Sequence, residues 1–191
     1  MISKVGAATD SGLATHAAST ASVGAAVIHF AVMPVHWLDW LPAGLFFATA
    51  AVFQLMWALL AWTRPPAILL AVGIAGNAGL AALWVVSRTE GLPFGPHAGD
   101  PEVVQAAGIC ALLLECYVVM GAAWAWLRAD RAEPVTIIGA AMVLLIANSV
   151  IAVVVTLGVA SGLQNHDHRR TPAQAQQPQE PPEHNGHHHD E

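Results

Sequence analysis

The stretch HFAVMPVH, residues 29–36, sets two imidazoles and a thioether inside an apolar run. On a helix, His29, Met33 and His36 stand at i, i+4 and i+7 and share one face. Imidazole with thioether suits copper, and imidazole alone suits zinc or nickel. His29 lies about two turns, roughly 10 Å, from His36 along such a helix. The two cannot hold one ion unless Pro34 kinks the chain, so a second element must complete a site around either. The stretch SRTEGLPFGPHAG, residues 87–99, is rich in turn residues and carries His97 near its end. His36, Asp39 and His97 are therefore the expected metal set, with Arg88 and Glu90 near the same level and His29 and Met33 marking a route below. The alternative is a plain interfacial network of hydrogen bonds and ion pairs.

A second group of polar residues interrupts the apolar runs themselves: Gln54, Asn77, Glu115 and Asn148. Counted from a helix start at Glu102, Glu115 lies about 20 Å down its helix, near mid-membrane. A carboxylate at that depth is costly and must face the interior. Gln54, Asn77 and Asn148 are its expected partners, either as a proton or cation path or as hydrogen-bonding glue between helices. GIAGNAG, residues 73–79, is not a nucleotide loop, since GxGxxG is absent and no strand precedes it. Its glycines are expected to allow close helix packing. The C-terminal segment holds a third group, His166, His168, His184, His187, His188 and His189, beside carboxylates. Histidine tracts of this composition have capacity for Cu, Ni or Zn.

These residues need a scaffold, and composition defines it. The chain of 191 residues is 55% hydrophobic and 10% charged, against about 25% charged for an ordinary soluble domain. Too few charges exist to cover a water-facing surface, so the lipid bilayer is the expected partner. Five apolar spans are expected, about 17–35, 42–62, 67–86, 102–127 and 135–160, as an all-α membrane bundle over 17–161. The first, with Ser19, Thr20, Ser22, His29 and Pro34, is the weakest. A cleaved leader is its rival, which would leave four spans. Trp37, Trp40, Trp62, Trp84, Trp124 and Trp126 fall near span ends, as interfacial aromatics do. TRPP at 63–66 ends one helix and starts the next. GDPE at 99–102 reads as a helix start, with Asp100 as cap and Glu102 facing the dipole. Residues 1–16 form a short leading segment, and 162–191, rich in His, Gln and Pro, are expected to be disordered. Cys110 and Cys116 are about 600° apart on a helix and cannot bridge.

Lys4, Arg64, Arg128 and Arg131 fall on one side of such a bundle and Arg88 on the other, with Arg169 and Arg170 past the last span. This bias places the N-terminus in the cytoplasm and the C-terminus outside. One lysine and no basic patch argue against nucleic acid. No nucleophile–base set or cofactor fingerprint appears, so enzyme activity, haem and nucleotide are not expected.

His29 and His36, Gly44-Leu45-Phe46-Phe47, Arg64-Pro65, Asn77, SRTEGLPFGPHAG and Glu115 together resemble a group of small bacterial polytopic membrane proteins with no assigned activity. The resemblance covers roughly residues 27–127, and the 87–99 stretch is its most specific part. It implies a four- or five-helix bundle in a bacterial plasma membrane and implies no reaction. The functional expectation is a small membrane protein that handles Cu, Zn or Ni at the outer face. The alternative is a non-catalytic accessory or assembly subunit of a larger membrane complex.

Overall fold

In a computed structural model the protein is an all-helical bundle, described over residues 8–63 and 65–170. Its helices are α1 (Asp10–Asp39), α2 (Leu41–Ala61), α3 (Ala67–Thr89), α4 (Ala106–Leu127) and α5 (Ile137–Arg170). All five are long and apolar enough to cross a membrane, α5 over Ile137–Gln164. They alternate in direction. The start of α1, the 62–66 joint and the α4–α5 link lie at one end, and the 90–105 loop lies at the other.

The span that looks weakest in sequence is the structural centre. α1 packs against α2, α4 and α5, and half of its apolar window is buried, against 11% for α5. Its inward face is small: Ala17, Ala18, Ala21 and Ala25 are buried. Small side chains let neighbouring backbones approach closely, which is how helices gain packing in lipid. A Cβ on Gly121 of α4 would stand 2.9 Å from that of Ala18. Low hydropathy is thus what a helix screened from lipid permits. α1 also starts earlier than the expected residue 17. Thr9 caps it by accepting from the Gly12 N–H at 3.2 Å, and Asp10 takes Arg128 in a two-toothed clasp, Nε at 3.0 Å and Nη2 at 2.8 Å. The backbone of Asp10 donates to Glu133 O at 3.0 Å, so the helix start is tied to the α4–α5 link.

Only Trp40 separates α1 from α2. So short a joint folds α2 back along α1, and Gly44 makes room for it. A Cβ there would fall 2.6 Å from the Trp37 Cα. α1 continues through Pro34 to Asp39. On α3, Gly73 and Gly76 receive the rings of Trp57 and Phe53 from α2, as expected for packing glycines, whereas Gly79 has open space.

Two boundaries differ from expectation. α4 begins at Ala106 with Gln105 at its cap position, and residues 100–105 carry no helix. The Glu102 N–H donates to Ser87 O at 2.8 Å, and its carboxylate pairs with Arg88 Nη1 at 3.0 Å. These bonds to α3 hold Glu102 outside the helix whose dipole it was expected to face. α5 continues through Arg170, into the segment expected to be disordered from residue 162. His166 and His168 lie on this helix, and His184, His187, His188 and His189 lie outside the described residues, as does Arg64. Cys110 is buried and Cys116 exposed, the different faces that their spacing requires.

Candidate functional site

The polar groups of four helices meet between them. Gln54 of α2 stands at the centre and is fully buried. Its Oε1 accepts from His29 Nδ1 of α1 at 2.8 Å. Its Nε2 donates to Asn77 Oδ1 of α3 at 3.2 Å and to Glu115 Oε1 of α4 at 3.4 Å. Asn77 in turn donates to Gly73 O at 2.9 Å, and Ser22 of α1 donates to the Gln54 backbone O at 2.8 Å. An amide oxygen can only accept, so the proton of this contact sits on Nδ1, which leaves Nε2 as the nitrogen that can take up or release a proton. Nε2 stands 3.6 Å from Glu115 Oε1.

His29 and Glu115 are 6% and 2% exposed, so nothing in bulk water solvates either. At 1.5 Å per residue, Glu115 lies about 14 Å from the Ala106 end of α4. This is shallower than the depth counted from Glu102, but it is still inside the apolar span. A bare carboxylate there, with one amide donor, is expensive. A proton held between Glu115 and His29 Nε2 removes that cost, because the pair is then neutral overall in either of its two tautomeric arrangements.

A cavity of about 220 Å³ connects this pair to the 90–105 loop end. Its foot is His29 and Glu115. Its walls are aromatic and aliphatic, with Phe46, Phe47, Leu83 and Trp84 among them, and Arg88, Glu102 and Phe94 stand toward the loop. Gly95, at φ 100°, lets the loop pass over Trp40, whose ring atoms a Cβ would meet at 3.2 Å. Arg88 donates to the Ser87 hydroxyl and lies over the Trp84 ring, 5.0 Å from its centroid.

From the expected residues the structure gathers His29, Gln54, Asn77 and Glu115, and His36 lines the same cavity. Asn148 does not join them. The inward stripe of α5 runs through Ala140, Ile151 and Gly158, and Asn148 stands beside that stripe, exposed. Met33 is half-buried on α1. His36 stacks on Phe47, ring centroids 4.3 Å apart and 26° from parallel. His97 and Asp39 are exposed. Among the described residues no three His, Cys, Asp or Glu side chains converge as a metal site would require, so the set of His36, Asp39 and His97 is not assembled. The loop that carries His97 is instead fastened through Glu102 to α3. Trp84, Arg88 and Glu102 were not grouped by the sequence reading. The i, i+4 spacing of Trp84 and Arg88 at the end of the third span was the available signal.

Comparison with protein-family models, with curated proteins and with solved structures finds no match for this chain.

Proposed function

We propose that this small integral membrane protein takes up a cation at the His29–Glu115 pair, and that the cation is a proton. The reading is carried by one observation: His29 Nε2 stands 3.6 Å from a buried carboxyl oxygen of Glu115, at the foot of a cavity that leads to one end of the bundle. Intramembrane acids paired with histidine are suited to proton relay. The positive-inside bias supports a bacterial plasma-membrane orientation with the 90–105 loop outside, so the pair would exchange its proton with the outer side.

The expected transition-metal role moves, on this reading, from the outer loop to the same pair. Two ligands about 2.1 Å from one tetrahedral ion stand roughly 3.4 Å apart, close to the separation here, and the His29 Nδ1–H to Gln54 bond is the kind of outer contact that orients a ligating histidine. Cu, Zn or Ni would need further ligands from water. The accessory-subunit reading draws on a different feature. Asn148 and Ser149 are exposed on α5, where a neighbouring transmembrane helix could satisfy them.

Infrared difference spectra of the reconstituted protein, between acid and alkaline buffer, test the first reading. A protonated-carboxyl band that changes with pH and is missing in Glu115→Gln is expected. No such band would leave the network as packing. Elemental analysis of protein purified without a histidine-affinity column, after incubation with copper, zinc or nickel, tests the metal reading. That reading expects one tightly held equivalent that His29→Leu abolishes.

A further inference from the structure

The upper half of the cavity has a chemistry of its own. Two N–H donors there are buried and have no partner: Trp84 Nε1 and Arg88 Nε. They come from adjacent turns of α3, and both side chains line the cavity. A buried donor without an acceptor is unfavourable, and a ligand oxygen would recover that cost. Gly108 of α4 lets the edge of the Trp84 indole pack against the helix backbone, since a Cβ there would stand 2.5 Å from Trp84 Nε1.

The surroundings restrict the ligand. The walls between the two polar ends are aromatic and aliphatic, which suits a flat ring. A cavity of about 150 Å³ accepts benzene, and 220 Å³ admits a somewhat larger ring system. Charge is the sharper filter. Arg88 is already matched by Glu102 at 3.0 Å, and Glu115 closes the foot, so an anion would meet two carboxyl groups and no unmatched cation among the described lining residues. The free donors call for a neutral acceptor.

We propose that this cavity binds a neutral, flat ring compound bearing carbonyl oxygen, of the membrane-soluble quinone type, with Trp84 Nε1 and Arg88 Nε donating to the carbonyl. The ring lies between Trp84 and the Phe46–Phe47 wall. Binding alone is inferred, and it stands apart from the proton reading because its donors lie at the other end of the cavity.

Calorimetric titration of the full-length protein in detergent, against a protein-free micelle blank, tests this with three probes: menadione, naphthalene and naphthoate. Menadione and naphthalene share the ring and differ in the carbonyls. Two hydrogen bonds of ordinary strength predict that menadione binds about tenfold tighter than naphthalene, and naphthoate should bind more weakly than menadione. Trp84→Phe keeps a ring and removes the N–H. Arg88→Lys keeps a charge for Glu102 and removes Nε. Each should weaken menadione about fivefold and leave naphthalene unchanged. Glu115→Gln should retain menadione, which separates this inference from the proton reading. No binding, equal binding of menadione and naphthalene, or tightest binding of naphthoate would each overturn the proposal. Equal loss of both neutral probes in the variants would overturn it too. The comparison of probes on the wild type needs no variant to fold.

Discussion

Gln54→Leu should be the most destabilising single substitution in the polar centre, more so than any change to the carboxyl group. The reason is position. Gln54 makes one short bond, 2.8 Å to His29, and two long ones, 3.2 Å to Asn77 and 3.4 Å to Glu115. Leucine is close in volume, so little cavity cost arises. What remains is the loss of three contacts and the stranding of the His29 Nδ1–H between helices. Hydrogen bonds between transmembrane helices average about 0.6 kcal/mol each, which gives roughly 2 kcal/mol for three. A stranded buried donor adds about 1–3 kcal/mol, for a total near 3–5 kcal/mol. Glu115→Leu should cost less, about 1–2 kcal/mol, because Gln54 Nε2 keeps its bond to Asn77. Glu115→Gln should be nearly neutral. Equilibrium unfolding in mixed detergent micelles, with Val52→Ala on the exposed face of α2 as control, measures all four. A double-mutant cycle of Gln54→Leu with His29→Leu should show coupling, since the second change removes the stranded donor. Equal stability of Gln54→Leu and the control, or strict additivity in the cycle, would refute the hub.

Gly73→Ala should lower the detergent melting temperature, because its methyl group would enter the Trp57 indole, which is held by donation to Leu69 O at 2.8 Å. Gly79→Ala, with nothing within 4 Å, should be neutral or slightly stabilising through helix propensity. Asp10→Ala removes the acceptor for Arg128 and for the Glu133 N–H, and hydrogen exchange should then quicken in the first turn of α1 and across residues 132–135 while the centre stays protected. A C-terminal alkaline phosphatase fusion should be active and a C-terminal fluorescent-protein fusion dark; the reverse would invert the outer-side assignment of the cavity.

Composition alone determined that the chain is a bundle of apolar helices, because a chain with 10% charge cannot cover itself in water. Length did the same for each span, since helices must satisfy their backbone within lipid. That Glu115 would find Gln54, and through it Asn77, was also legible, because an acid inside an apolar run has few polar residues to meet. The rotation of each helix about its axis was not. A uniformly apolar helix has no polar face to mark which side turns inward, and so Asn148, beside the contact stripe of α5, could not be told from Asn77, which lies on the inner side of α3. Packing decided that, and it also made α1 the centre, since small residues that look like poor membrane formers are what close approach requires. His29 was read along its own helix, with Met33 and His36, because periodicity sees only one element at a time. The tertiary structure paired it across helices instead, with Gln54 and Glu115, and tied the loop bearing His97 to α3 through Glu102.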